Sequence, residues 1–343
     1  MRRKLCRLGG ILLLVLAVVI VATALGSVRI PLRELLGILG SRLPGLQGLF
    51  NADWSKAHEA IVLQVRLPRV LLALVVGAGL SVAGVLFQGS LRNPLADPYI
   101  IGVSSGASLG ATVALLFFIP QGLVGFGALP VFAFVGALVT TLVVSRLGQR
   151  SGRLEPTSLL LAGVAMGSLL TAVVSLLMVL RIRNLQDVYL WLMGSLSSRG
   201  WQHLGVAAPY VFLGIVFSLW LAKDLNVYLL GEESAHSLGI DVQALQRWVL
   251  IIGALMAAAC VAVSGVIGFV GLMVPHALRL ILGADHRRLI VHSLWVGAVF
   301  LLVADTLARI VFSPIEVPVG IITASVGGPF FIYLMKRGSG YHD

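Results

Sequence analysis

From Pro98 to Val144 the chain runs for 47 residues without an Asp, Glu, Lys or Arg. No soluble fold hides so long an uncharged stretch, whereas a bilayer accepts it as two helices of about 20 residues each. The break falls at Pro120-Gln121-Gly122. Further uncharged runs cover Leu8–Val28, Val70–Leu91, Pro156–Leu180, Gly200–Ala222, Trp248–Leu278, Leu289–Ala304 and Val317–Met335. Trp248–Leu278 is again too long for one crossing and breaks at the glycine-rich Gly265–Gly271, leaving a full helix and a short one. These runs predict an all-α polytopic membrane protein with ten spans in one transmembrane domain over residues 1–343. The spans are placed at 8–28, 68–91, 98–119, 123–146, 156–181, 200–222, 247–267, 272–283, 289–312 and 316–335, with residues 223–246 as a loop between the sixth and seventh.

Composition agrees. Hydrophobic residues make up 58% of the 343 and charged residues 11%, against roughly 25% charged in soluble domains. With a mean hydropathy of +1.01, this excludes a soluble enzyme, a disordered chain, a fibrous repeat and a disulfide-stapled module. Cys6 and Cys260 form no metal or disulfide spacing and read as small helix residues. The basic N-terminus resembles a signal peptide, but its 21 uncharged residues exceed a cleavable core of about 7–15. It is read as a retained first helix.

The formal net charge of +11 implies neither nucleic acid nor any other polyanion once topology is considered. With the N-terminus inside, 15 of the 25 Lys and Arg residues fall on inner segments and 10 on outer ones. The sign satisfies the positive-inside rule and places both termini in the cytoplasm. The outer ten, among them Arg66, Arg69 and Arg309, exceed what orientation needs. Gly84-Val85 precedes Pro94 by the spacing that separates Gly265-Val266 from Pro275, a weak hint of an inverted repeat.

The sequence contains no Gly-x-x-x-x-Gly-Lys-[Ser/Thr] phosphate loop, no His-Glu-x-x-His and no Gly-x-Ser-x-Gly. No enzymatic activity, metal site or bound cofactor is therefore expected on this chain. Asp305 is the single candidate for an embedded carboxylate relay, and four residues on it meets Arg309, a spacing that pairs them on one helical face. In the inner loop, Glu232–Leu238 reads as a short helix closed by Gly239. Such a helix either docks in a groove of a partner protein or lies at the lipid interface.

A series of ordered motifs resembles the FecCD-type permeases, membrane subunits of ATP-binding-cassette importers for ferric siderophores, haem and vitamin B12. They are Arg66-Leu67-Pro68-Arg69, Asn93-Pro94-Leu95-Ala96-Asp97-Pro98, Gly102-Val103-Ser104-Ser105-Gly106-Ala107 and Leu160-Leu161-Ala162-Gly163-Val164-Ala165. Downstream come Trp191-Leu192-Met193-Gly194-Ser195, Gly268-Phe269-Val270-Gly271-Leu272-Met273-Val274-Pro275-His276, Asp285-His286-Arg287, Ala304-Asp305-Thr306-Leu307-Ala308-Arg309 and Pro318-Val319-Gly320-Ile321-Ile322-Thr323-Ala324. The resemblance spans about Arg66 to Met335. It implies the fold of the vitamin B12 permease (BtuC-like, type II importer), a homodimer in the cytoplasmic membrane and a cargo path on the two-fold axis. It further implies two cytoplasmic ATPase subunits, which carry the ATP and magnesium, and an extracytoplasmic substrate-binding protein.

On this resemblance Gly231, Glu232, Glu233, Ala235, Leu238 and Gly239 couple to the ATPase, and Arg66, Arg69 and Arg309 dock acidic residues of the binding protein. The alternative for Arg66 and Arg69 is snorkelling at lipid head groups. Ser81, Gln88, Ser104, Ser105, Ser108 and Thr112 either line the path or serve as polar glue between helices. His276 reads as structural, and Met193 and Met273 as packing residues rather than haem contacts. The expected cargo is an iron chelate, a ferric siderophore first, with haem and vitamin B12 as alternatives. An ion-coupled secondary transporter, working through Asp305 and without an ATPase, is the rival of another class.

Overall fold

A computed structural model describes residues 2–26, 28–42, 53–117, 127–150, 153–181 and 185–338. The Pro120-Gln121-Gly122 break lies outside the described residues. Apart from a two-residue antiparallel ladder between Gln149–Arg150 and Arg153–Leu154, the regular structure is helical. In chain order the helices are α1 (Arg2–Ala24), α2 (Leu32–Gly40), α3 (Lys56–Ala60), α4 (Leu67–Ser90), α5 (Val103–Leu116), α6 (Ala128–Leu147) and α7 (Pro156–Leu180). There follow α8 (Leu185–Leu192), α9 (Trp201–Tyr228), α10 (Glu232–Ser237), α11 (Val242–Ser264), α12 (Val270–Leu282), α13 (His286–Ile310) and α14 (Val319–Gly338).

Among the described residues seven helices are long and apolar enough to cross a bilayer, and three shorter apolar ones accompany them, within α1, in α5 and in α12. Hydropathy runs report neither the short amphipathic α2 nor α8, which sit beside the spans. The inner loop is also shorter than expected. Lys223 and Asp224 stay helical, so α9 continues to Tyr228 and α11 already begins at Val242.

The bundle is organised around α4. Of its most apolar window 83% is buried, against 11% for α7 and 17% for α14. It packs on α9, α11, α12 and α13. Lipid tails are as apolar as leucine, so helices in a membrane gain stability from close van der Waals contact rather than from leaving water. The α4 sequence is small-residue rich for this reason: a Cβ on Gly77 would lie 2.3 Å from the Gly297 carbonyl oxygen of α13, and one on Gly84 only 1.7 Å from that of Gly271 in α12. At its N-terminal end α4 continues a π-helical turn, Ile61–Arg66, leading from α3. Pro68 donates no N–H, and the wider turn accommodates the lost bond.

Candidate functional site

Three sites carry the functional argument. The first is the link between α9 and α11. Gly231, at φ +113°, ends the preceding turn, and α10 starts with Glu232 and Glu233 against its positive N-terminal end. It closes in a Schellman motif: the Ile240 N–H donates to the Ala235 carbonyl (3.0 Å) and that of Gly239 to His236 (2.9 Å). Gly239 holds φ +83° there, where a side chain would strain the backbone. Asp241 then caps α11 by accepting from the Ala244 N–H at 2.9 Å. Ala235 is buried against the bundle while Glu233, Ser234 and Ser237 are exposed. Leu238, 65% exposed, presents an apolar side chain beside this acidic surface. A groove of about 730 Å³ runs along it, lined by Glu232, Glu233, His236, Gly239 and Asp241. The segment is thus an exposed, acidic and partly apolar knob.

The second is the far end of α4. Arg66, Arg69 and Arg309, expected as free cations for an outside partner, are 5%, 6% and 4% exposed and already paired. The Arg69 guanidinium lies on Asp305 (Nη2–Oδ1 2.9 Å, Nε to both carboxylate oxygens 3.1 Å) and on Glu316 (2.8 Å). Arg309 adds a second cation at 3.3 Å from Asp305 and donates to the carbonyls of Ala22 (3.1 Å) and Leu25 (3.2 Å). Arg66 donates to the carbonyls of Thr23 (2.9 Å), Ala24 (2.8 Å) and Val28. The carbonyls that end α1 have no intrahelical donor, and they accept from these guanidinia. The arginines therefore fasten α1 to the bundle, and two buried carboxylate contacts balance the charge of Arg69 and Arg309. Asp305 is 0% exposed, and its i,i+4 pairing with Arg309 is as expected. Its contact with Arg69 joins residues 236 apart. Glu316 lies between α13 and α14. Burial pushes its carboxyl up, but the Arg69 hydrogen bond and charge, helped by Ser197 and Arg309, hold it below the usual glutamate range. Glu316 gave no sequence signal, since nothing near it in the chain is its partner.

The third is a groove of about 480 Å³ beside α7, lined in part by Ser104, Ser105, Gly163, Gly167, Thr171 and Leu272. Of the six polar residues expected on a path, it brings together Ser104 and Ser105. Ser108 is half-buried and bonds its own helix at the Ser104 carbonyl (2.7 Å). Ser81, Gln88 and Thr112 are buried in helix packing and stand outside this groove; the Gln88 amide donates to the Leu272 carbonyl at 3.1 Å, while the Ser81 and Thr112 hydroxyls have no hydrogen-bond partner.

The proline-rich Asn93–Pro98 turn and the chain from Gly265 into α12 meet near this groove. The Tyr99 hydroxyl donates to the Ile267 carbonyl (2.9 Å) and accepts from its N–H (3.2 Å), and His276 Nδ1 lies 3.2 Å from the Pro94 carbonyl oxygen. Tyr99 was missed, and its signal is an aromatic hydroxyl inside a proline-rich turn, where a buried O–H must find a partner. Asp97 caps this turn through the Tyr99 N–H (2.8 Å). Asn226 ties the end of α9 to Asp285 (2.8 Å) and to the His286 N–H (2.7 Å). Asp285 itself caps α13.

Seven described helices long and apolar enough to cross a bilayer, packed around a buried α4, with a short exposed helix between two of them, are the architecture of a polytopic membrane protein. The chain belongs to the FecCD transport family, whose match runs from residue 11 to residue 337. It is 45% identical over 278 residues to the cobalamin import system permease protein BtuC of Halobacterium salinarum, covering 81% of this chain and 74% of that one. It is 41% identical over 325 residues to the hemin transport system permease protein HmuU of Yersinia pestis, 94% of each chain. A solved structure assigned to the metal-chelate type of ABC transporters, in an inward-facing conformation, superposes with a TM-score of 0.82 at 32% identity over 96% of this chain and 98% of that one. The chain is thus the permease subunit of an ATP-binding-cassette importer, a transport subunit working with an ATPase and a binding protein.

Proposed function

We propose that two copies of this chain form a homodimer in the cytoplasmic membrane and pass an iron chelate, a ferric siderophore first, between them. The observation that carries the dimer is the bareness of α7 and α14, with 11% and 17% of their apolar windows buried, beside the groove holding Ser104 and Ser105. Relatives named for cobalamin and hemin, and a structural neighbour of metal-chelate type, support a bulky chelated metal as cargo, and haem or vitamin B12 is the second reading. Both termini lie in the cytoplasm. There the Gly231–Gly239 turn sits in a groove of each of two ATPase subunits, which hold the ATP and magnesium. Closure of the ATPase pair pushes the turn, and the two permeases rock between outward and inward access. The binding protein docks over the Arg66–Arg69–Arg309 cluster, where its carboxylates exchange with the half-exposed Glu316 on Arg69.

Gentle purification with mass identification of every co-purifying protein tests the assembly. The expected result is two copies of this chain with two ATPases. Any captured binding protein is then screened by absorbance with ferric siderophores, haem and cobalamin. Repeated isolation without an ATPase, while a known cassette importer prepared alongside keeps its own, overturns the reading in favour of ion-coupled transport.

A further inference from the structure

A cavity of about 350 Å³ opens between α6 and α11, on the α10 side of the bundle. Neither the coupling turn, the cargo groove nor the arginine cluster uses it. Its deeper wall is apolar, with Leu138, Leu250 and Ala254, and exposed Leu142 and Ile251 form a rim open to the membrane. Towards the α10 end it turns polar, with Arg247, Gln243 and Gln149. Arg247 is exposed and makes no ion pair among the described residues. Thr141 lines the same space at 3% exposure, and its hydroxyl has no hydrogen-bond partner.

These observations describe one amphiphile. We propose that the cavity binds an anionic phospholipid, its phosphodiester on Arg247 and one acyl chain along Leu138 and Leu250. The gradient from apolar to cationic follows the long axis of a lipid standing in the leaflet, and a cation at head-group depth selects negative lipids. Gln243 lines both this cavity and the α10 groove, so a bound lipid abuts the coupling turn. That this leaflet is the cytoplasmic one rests on the orientation proposed above; the binding itself does not.

The importer complex is reconstituted in phosphatidylcholine nanodiscs containing a small fraction of phosphatidylglycerol with a photoreactive diazirine on one acyl chain. Peptide mapping after illumination is expected to concentrate adducts in residues 138–142 and 250–255. Arg247→Gln and the cavity-filling Ala254→Leu reduce those adducts at least fivefold, and Arg247→Lys restores them. A photoreactive phosphatidylcholine gives no such concentration, and glycerophosphate does not compete. Adducts spread evenly over all lipid-facing helices, or unchanged by Arg247→Gln with the ATPase still bound, overturn the proposal. Competition by glycerophosphate overturns it in favour of a soluble phosphate ligand. Neither result bears on the cargo or the dimer.

Discussion

Asp305 has the most at stake of any single residue. Buried between Arg69 and Arg309, it bridges two guanidinia that would otherwise repel, with Glu316 supplying the second negative charge, and removing one member of a buried ion network costs about 3–5 kcal/mol. Asp305→Ala is therefore expected to lower the thermal unfolding temperature in detergent sharply, with loss of transport following loss of the folded chain. Loss of transport with unchanged stability would restore the carboxylate-relay reading. Glu316 tests the same cluster by pH. Its carboxyl is held below the ordinary value of 4.5, so its contact with Arg69 stabilises fully above that value and fades as pH falls through the lowered one. Glu316→Gln should flatten the acid limb of the stability curve. An unchanged limb would mean the contact contributes nothing.

Among the elements, α10 has a geometry that a single residue can spoil. A β-branched residue at Gly239 must adopt φ near +83°, costing more than about 1 kcal/mol locally. Gly239→Val should leave membrane insertion intact and weaken transport-stimulated ATP hydrolysis severalfold, measured on reconstituted complexes. Glu232→Ala with Glu233→Ala tests the acidic surface instead, with weakened ATPase coupling as the expected result. Full stimulation in both variants would remove the turn from the coupling mechanism. The short helix from Glu232 was legible because its signals are local: two acids, a helical run and a glycine just past its end.

At the scale of the whole molecule, α7 and α14 leave apolar surface that lipid or a second copy must cover. Mass photometry of the purified complex should give two permease chains per particle at nanomolar concentration, and a particle with one chain would require the cargo path to lie within one bundle. The spans were legible in the sequence because each is a contiguous uncharged run and a bilayer demands that every backbone N–H be bonded within its segment. So were the break between α11 and α12, from its glycines, and the family, from motifs. Which groups within the chain the arginines pair with was not legible. A free docking cation and one buried on Asp305 have the same one-dimensional signature, and the partner stands 236 residues away. Likewise Ser104 and Ser81 look alike in sequence, yet one lines a groove and the other is sealed beside α13. Local patterns fix whether a segment crosses the membrane and where it bends. Which polar groups are spent inside the bundle depends on contacts between distant helices, and only the packing of α4 among its neighbours decides that.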